Sequence, residues 1–204
     1  LVSIMNTVKI LSTFISETSV IEVANILNTD NSLKVAICNT NTVVRNYKDE
    51  LLNKVINSFD IKTPDGFPVA KSSSILYKNS QQRVDGYNVF LSTIQEGLPK
   101  NTSHYFYGSE EPVLKKLVKK LKKDFPQINI VGSFSPPVGS YEELTEQKYI
   151  EDMQKANPDI VWVSLGFPKQ EMFINLLQIK YSMQSNLVGV GAVFEWVAGT
   201  KTKA

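Results

Sequence analysis

The sequence contains only one cysteine, Cys38, and one histidine, His104. A single cysteine forms no disulfide within the chain, and its place in the apolar run 35–38 favours a buried thiol in a reducing compartment. No Cys/His metal cage can be built from this supply. A Ser-His-Asp triad would require His104, for which we expect a structural or surface role because it borders the strand-like residues 105–107. A general base in this chain is therefore expected to be Asp or Glu.

Long hydrophobic runs and a strong charge imbalance are also missing. No apolar run approaches the roughly 20 residues of a membrane-spanning helix, and residues 1–16 lack the features of a signal peptide. The formal net charge is only +2, so no nucleic-acid partner is expected. With 204 residues, 42% of them hydrophobic and 21% charged, the chain is predicted to be a globular protein of one domain.

Short apolar segments alternate with amphipathic ones along the chain. Strands are predicted at residues 34–38, 104–107, 128–131, 160–165 and 187–190. Helices are predicted at residues 17–27, 49–59, 69–77, 89–96, 110–125, 142–156 and 168–181. This alternation is typical of an α/β fold with a mainly parallel sheet and helices on both faces. Residues 133–140 are predicted to form a long loop.

Three predicted strands end in glycine directly before a predicted helix, at Gly108, Gly132 and Gly166. In an open α/β sheet, ligands bind at the carboxyl ends of strands, where helix N-termini present free N–H groups. Each glycine alone would simply allow a tight turn, but the three together favour a phosphate-bearing ligand. Neither the GxGxxG nor the GxxxxGK[ST] motif occurs, which weakens the cases for a Rossmann oxidoreductase and a P-loop NTPase.

Two further segments carry polar side chains beside residues that fix the backbone. Asp65 lies in a Pro-Asp-Gly turn, and by itself it would only stabilise that turn. In the segment 165–171, a strand stops at a glycine and a proline suits the start of a helix. Lys169, Gln170 and Glu171 then fall in the first helical turn. They form either a solvated capping segment or a binding site, in which Lys169 and Gln170 hold phosphate or sugar hydroxyls and the helix dipole stabilises Glu171.

Four short motifs occur in an order and spacing that belong to one family. They are Asp65-Gly66, Arg83-x-x-Gly86, Gly166-x-Pro168-Lys169-Gln170-Glu171 and Gly189-Val190-Gly191-Ala192-Val193-Phe194. On these motifs the chain resembles the WecG/TagA/CpsF glycosyltransferases from about Ile10 to its last residue. The G-x-P-K-Q-E motif is the specific one, and Ser135-Pro136-Pro137 resembles a loop of one branch.

The resemblance implies a Rossmann-like fold and an inverting, metal-independent transfer without a cofactor. A hexose or N-acetylhexosamine, of N-acetylmannosamine type, would move from a UDP-sugar to an undecaprenyl-diphosphate-linked saccharide. Like the family, this sequence lacks the metal-binding Asp-x-Asp signature. The resemblance further implies a cytoplasmic protein, peripheral at the inner face of the cell membrane, that serves cell-surface polysaccharide or teichoic acid synthesis. A tendency to form homo-oligomers is implied as well.

The resemblance also assigns roles to five residues. Asp65 matches the aspartate proposed as catalytic base. Asn39 matches an asparagine thought to meet the sugar, and Arg83 matches an arginine expected near the diphosphate or the acceptor. Gln170 matches a glutamine of the substrate pocket. Glu195 stands where the family usually has an aspartate near the nucleotide.

A diphosphate that leaves without a metal requires cations and helix-terminal N–H groups. Besides Arg83, Lys169 is a candidate cation. The glycine turns are candidate substrate-binding positions: Gly108, Gly132, Gly166 and Gly191.

Besides Glu195, the chain departs from the family pattern at three places. Ile37 stands where the family often has threonine, and Asn88 ends a motif that normally reads R-x-x-G-x-D. The family's membrane-associated C-terminal extension, which follows the Ala198-Gly199 region, is missing. We therefore expect residues 1–204 to be one domain, truncated or naturally short, with low activity. The alternative is a non-catalytic UDP-sugar-binding module on the same fold.

One predicted helix is rich in lysine, at residues 112–125. Such a helix could lie on anionic lipid. We expect instead that its apolar stripe packs on the sheet and that its lysines face water.

Overall fold

A computed structural model, which describes residues 5–203, contains a two-stranded hairpin and a six-stranded parallel sheet. The strands are β1 (Thr7–Ile10), β2 (Thr13–Ser16), β3 (Lys34–Cys38), β4 (Ile61–Pro64), β5 (Ser103–Gly108), β6 (Asn129–Phe134), β7 (Ile160–Ser164) and β8 (Asn186–Gly189). In the large sheet the order is β4-β3-β8-β7-β5-β6, and neighbouring strands are parallel. Their carboxyl ends therefore lie along one side of the sheet, which we call the carboxyl edge.

Helices connect the strands. They are α1 (Val20–Leu27), α2 (Thr40–Lys48), α3 (Glu50–Asn57), α4 (Phe67–Tyr77), α5 (Gly86–Gly97), α6 (Glu111–Asp124), α7 (Tyr141–Leu144), α8 (Gln147–Ala156), α9 (Lys169–Tyr181) and α10 (Val193–Val197). Several begin at a capping side chain: Ser19, Asn39, Asp49 and Asp85 each accept a hydrogen bond from a main-chain N–H of the first turn. Such caps satisfy donors that a helix start leaves free.

Apolar side chains are buried on both faces of the sheet. On one face Phe173 of α9 packs in a cluster with residues of α3, α8 and β3. On the other face Phe90 of α5 and Leu117 of α6 pack with residues of α1 and α10. Alternate side chains of β7 point to opposite faces, so Val161 belongs to the first cluster and Trp162 to the second. The predicted α/β fold with helices on both faces is confirmed.

The predicted strands are confirmed with small shifts at their ends, but some elements were not predicted. The hairpin β1–β2, strand β4 and helix α2 all fall in segments without a clear apolar period. Strand β4 contains Lys62 and Pro64, and proline is tolerated there because the strand lies at the margin of the parallel sheet. The single helix predicted at 142–156 is wrong, since α7 ends before Thr145 and α8 starts at Gln147.

Of the structural and surface roles predicted for His104, the structural one is confirmed. The ring is 1% exposed, and its Nδ1 accepts a hydrogen bond of 3.1 Å from Nε1 of Trp162. Burial lowers the pKa of His104 to about 4, because the charged imidazolium would lose its hydration. The ring is therefore neutral at physiological pH.

The lysine-rich helix α6 packs as predicted. Leu114, Leu117 and Leu121 are buried in the core, whereas lysines such as Lys116 and Lys119 are exposed. Among residues 5–203, the helices are all too short or too polar to cross a bilayer.

Candidate active site

A cavity of about 430 Å³ opens at the carboxyl ends of β5, β6, β7 and β8. Its walls include the loop 135–138 and the side chains or main chain of Ser109, Ser164, Gly166, Lys169, Gly191 and Glu195. We call this cavity the glycine pocket. Its position agrees with the rule that open α/β sheets bind ligands at the carboxyl ends of their strands.

Two glycines shape the pocket through their backbone conformation. Gly166 has φ +76° and Gly191 has φ +58°, a region that L side chains rarely adopt. A Cβ atom placed at either position would meet no heavy atom within 4 Å. The main chain therefore turns there and leaves open space on the pocket side, which lets a ligand approach the backbone.

The other two predicted glycines serve packing between strands. Gly108 ends β5, and a Cβ there would lie 2.3 Å from the main-chain oxygen of Ser164. The prediction that Gly132 ends a strand is wrong, because it lies within β6. A Cβ at Gly132 would lie 2.4 Å from the ring of Tyr105. Neither glycine is among the described residues that line the pocket.

Two polar residues in the first turn of α9 are buried and Lys169 is half-buried, so the interpretation as a solvated capping segment is wrong. Gln170 is 3% exposed and Glu171 is 1% exposed. Oε1 of Gln170 accepts a hydrogen bond of 3.0 Å from the N–H of Gly191, and its Nε2 donates one of 2.8 Å to Oε1 of Glu171. Gln170 thus ties the start of α9 to the turn after β8.

Glu171 is a buried carboxyl group. Burial raises its pKa to about 7, although hydrogen bonds from Gln170 and from the main chain oppose the shift. Its Oε2 atom has no hydrogen-bond partner among the described residues. The group therefore changes charge near neutral pH, next to the side chain that holds the turn at Gly191.

Four charged residues line the glycine pocket, Glu110, Lys169, Glu195 and Lys201, and two of them hold neighbouring groups in place. Lys169 donates a hydrogen bond of 2.9 Å to the main-chain oxygen of Gly139, and so ties the loop before α7 to α9. Oε1 of Glu195 accepts a hydrogen bond of 3.3 Å from Oγ of Ser109. Its Oε2 is buried and, in the described part of the chain, has no partner. The pocket thus offers an unused acceptor to a ligand with a hydroxyl or N–H donor.

A second group of polar residues lies at the ends of β3 and β4. The main-chain N–H of Asp65 donates a hydrogen bond of 3.0 Å to the oxygen of Cys38. Nε of Arg83 lies 3.5 Å from Oδ1 of Asp65, and its Nη2 lies 3.4 Å from Oδ2 of Asp85. Nζ of Lys203 lies 3.1 Å from Oδ1 of Asp85. We call Asp65, Arg83, Asp85 and Lys203 the charged cluster.

The two carboxylates of the charged cluster are in different environments. Burial raises the pKa of Asp65, and the nearby charge of Asp85 adds to this, while Arg83 opposes it. Burial alone would also raise the pKa of Asp85. Hydrogen bonds from Lys203 and Asn88, with the charges of Lys203 and Arg83, instead lower the pKa of Asp85 below its usual range. Asp65 is therefore the better proton acceptor of the two.

Asn39 follows β3 and lies beside this cluster in the sheet. Its Oδ1 accepts a hydrogen bond of 3.1 Å from the N–H of Thr42, so it caps α2 while its side chain stays exposed. Asn88, which departs from the family motif, donates from Nδ2 to Oδ2 of Asp85 at 2.7 Å. The amide of Asn88 therefore stabilises the carboxylate of Asp85 in the charged cluster.

The charged cluster and the glycine pocket share the carboxyl edge. Only β8 separates β3 from β7. Cys38 lies at the end of β3. Burial raises the pKa of its thiol, and the charges of Glu171 and Asp65, one from each region, raise it further. Among the described residues, however, Asp65, Asn39 and Arg83 do not line the pocket itself. The predicted residues thus form two neighbouring groups along one edge.

Several residues of this edge were not predicted. Asp85 had a signal, since an aspartate directly before the helix start at Gly86 is typical of an N-cap. Ser109 and Ser164 had none, because their positions follow from the twist and register of the sheet. Lys203 reaches Asp85 across 118 residues of sequence, and no local pattern indicates such a contact.

Comparison with known proteins agrees with these features. The model of the glycosyl transferase WecG/TagA/CpsF family matches residues 8–204. The chain is 31% identical over 150 residues to the N-acetylglucosaminyldiphosphoundecaprenol N-acetyl-beta-D-mannosaminyltransferase of Bacillus spizizenii strain W23, covering 74% of this chain and 56% of that protein. It is 29% identical over 157 residues to the protein of the same name in Bacillus subtilis strain 168, covering 77% and 59%. The chain thus spans somewhat more than half the length of these relatives. It belongs to the WecG/TagA/CpsF family of glycosyl transferases.

Proposed function

We propose that the protein is an inverting glycosyltransferase. In this proposal a hexose or N-acetylhexosamine, of N-acetylmannosamine type, moves from a UDP-sugar to a polyprenyl-diphosphate-linked saccharide. The family match supports transfer of a sugar. The names of the two Bacillus relatives support the mannosamine-type donor and the undecaprenyl-diphosphate-linked acceptor. The observation that carries the proposal is the ion pair of Asp65 with Arg83 at the carboxyl edge, which the glycine pocket shares.

The glycine pocket is assigned to the nucleotide part of the donor. Open backbone at Gly166 and Gly191 suits the approach of a diphosphate. The unpartnered Oε2 of Glu195 suits a hydroxyl or N–H donor of a nucleoside. Lys169, which also lines the pocket, adds a positive charge close to the leaving diphosphate.

The charged cluster is assigned to the acceptor and the chemical step. Asp65 removes the proton from the acceptor hydroxyl as that oxygen forms a bond to the anomeric carbon. The bond from that carbon to the diphosphate oxygen breaks on the opposite face, and UDP carries away the electron pair. Arg83 and main-chain N–H groups stabilise the charge that develops on the leaving group.

The proposal extends to where the protein works. It is proposed to be cytoplasmic, to lie at the inner face of the cell membrane without crossing it and to self-associate. The lipid-linked acceptor of the relatives supports a place at the membrane. The exposed lysines of α6 would add a weak attraction to anionic lipid.

The test is a transfer assay with a panel of UDP-sugars and a lipid-diphosphate-linked N-acetylglucosamine acceptor. We expect product with inverted anomeric configuration, measured by NMR. A protein that binds UDP-sugar in calorimetry but transfers no sugar to any acceptor would be the non-catalytic binding module instead. Transfer with retained configuration would contradict the direct displacement.

A further inference from the structure

The peptide unit of Gly191 is held by hydrogen bonds on both sides. Its N–H donates to Oε1 of Gln170 at 3.0 Å, and its carbonyl oxygen accepts from Oγ of Ser164 at 2.7 Å. Gln170 lies in the first turn of α9 and Ser164 ends β7, so two separate elements fix this turn. The chain continues from the turn into α10, which carries Glu195, and both Gly191 and Glu195 line the glycine pocket. The position of this wall of the pocket therefore depends on the two hydrogen bonds.

Both polar ends of the Gln170 side chain are used within the protein. Besides the contact of Oε1 with Gly191, Nε2 donates to Oε1 of Glu171 at 2.8 Å. An ionised carboxylate only accepts hydrogen bonds, so this second contact sets which end of the amide faces Gly191. Gln170 is 3% exposed and does not belong to the described residues that line the pocket. It is therefore placed to act on the pocket through Gly191.

Gly189 leaves the space that Gln170 occupies. It is the last residue of β8, and a Cβ atom there would lie 2.9 Å from Nε2 and 3.2 Å from Cδ of Gln170. Atoms in a packed interior do not approach so closely without a shift, so a side chain at position 189 would displace the amide. The two glycines of the segment 189–191 thus have different tasks, because Gly189 admits the glutamine and Gly191 is held by it.

We propose that Gln170 is a positioning residue for binding of the donor: it holds the turn at Gly191 where the nucleotide requires it and does not contact the ligand. The inference rests on the proposed function for the identity of that ligand, a UDP-sugar in the glycine pocket. It differs from the role implied by the family resemblance, which places the glutamine in the substrate pocket. Without Gln170 the N–H side of the turn would no longer be held, and the nucleotide would have to order it on binding.

The test measures UDP affinity by calorimetry, which requires no sugar transfer. The change Gln170→Met keeps a side chain of similar length and removes both hydrogen bonds. We expect UDP to bind roughly tenfold more weakly, about the contribution of one hydrogen bond. In the ligand-free variant the amide proton of Gly191 should also move upfield in NMR spectra, because it has lost its acceptor.

A second variant, Gly189→Ala, keeps every hydrogen-bonding group and is available if Gln170→Met does not fold. Its Cβ atom should move the amide of Gln170 away from Gly191 and weaken UDP binding roughly threefold. Combined with Gln170→Met it should cause no further loss, because no amide remains to be displaced. The matched control is Gln178→Met, the same change on the same helix, at a half-buried position that does not line the pocket. Its UDP affinity should equal that of the wild type.

Normal UDP affinity of Gln170→Met would overturn the positioning role. A loss of affinity in Gln170→Met without any loss in Gly189→Ala, or with an unmoved amide proton of Gly191, would also overturn it, since the amide would then contact the nucleotide itself. A wild type that binds UDP but transfers no sugar would contradict the catalytic part of the proposed function alone, and the losses in the two variants would still support Gln170 as a positioning residue. A wild type that binds no UDP would contradict both.

Discussion

The glycine pocket and the charged cluster lie on the same edge of one sheet, yet they are built differently. The pocket presents main-chain turns at Gly166 and Gly191, and its polar side chains largely hold one another in place. The cluster presents side chains, with Arg83 between the carboxylates of Asp65 and Asp85. Main-chain groups are held rigidly and suit the binding of a nucleoside diphosphate. Side chains suit the step at which a proton moves.

This difference implies that substitutions in the two regions impair different properties of the protein. A change in the cluster should lower turnover and leave donor binding nearly intact. A change in the pocket should weaken donor binding or alter stability and leave the chemical step nearly intact. Each prediction below tests that division.

The largest effect is expected for Asp65→Asn. The amide cannot accept the proton, so turnover should fall by roughly 10²–10⁴ while UDP affinity in calorimetry stays the same. Asp152→Asn is the control, because Asp152 is an exposed aspartate on α8. Normal turnover of the Asp65 variant would remove this residue from the role of base.

A slightly smaller loss is expected for Arg83→Ala. Removing this cation should lower kcat/KM by roughly 10²–10³. Because Arg83 opposes the rise in the pKa of Asp65, its loss should raise that pKa further. Asp65 acts in its ionised form, so the acid limb of the kcat/KM profile should move to higher pH. An unmoved acid limb, with Lys116→Ala as the exposed-cation control, would contradict the coupling between Arg83 and Asp65.

A stability effect is expected in the pocket region for Glu171→Gln. The pKa of Glu171 in the folded protein is about 7, above the ordinary value of 4.5. Between these values the folded state holds a proton that the unfolded state has lost, so the wild-type free energy of unfolding falls as pH rises from 4.5 to 7. The neutral variant lacks this fall. Its free energy of unfolding, relative to that of the wild type, should therefore rise by on the order of 3 kcal/mol between pH 4.5 and pH 7. Urea unfolding at pH 5 and pH 8 measures it, and a difference that does not change with pH would be the contrary result.

The smallest effect is expected for Gly191→Ala. A side chain at φ +58° strains the turn by roughly 1–2 kcal/mol. It also shifts the N–H of residue 191, which donates a hydrogen bond to Gln170. UDP affinity should fall roughly tenfold, with kcat nearly unchanged. Gly199→Ala is a matched control, because Gly199 has φ +70° and open space but does not line the pocket. If both variants lost UDP affinity equally, strain alone would explain the loss.

How far the sequence predicts the fold depends on burial of each strand. Strand β7 is buried along its whole length, so its apolar run predicts it clearly. Strand β1 alternates exposed and buried positions and β2 does so only at its start, each over four residues, which is too short for a period to be recognised. Strand β4 carries a lysine whose burial no local pattern indicates.

The sequence also predicts some parts of the site and not others. Glycines at strand ends predict the pocket from local spacing, as Gly166 shows. Asp65 and Arg83 are joined only by the turn of the chain around α4, so the resemblance to the family brought them together. The burial of Gln170 and Glu171 was missed because polar residues at a helix start normally face water. Here the turn after β8 packs against Gln170, which in turn bonds Glu171, and only the tertiary structure brings this turn to α9.

The most direct measurement is a crystal structure of the Asp65→Asn variant with a UDP-sugar bound. We predict the diphosphate against the main chain at Gly166 and Gly191, and the anomeric carbon turned towards position 65, with space between them for an acceptor hydroxyl. A nucleotide bound elsewhere on the molecule, or a sugar pointing away from Arg83 and position 65, would contradict the assignment of both regions to one reaction.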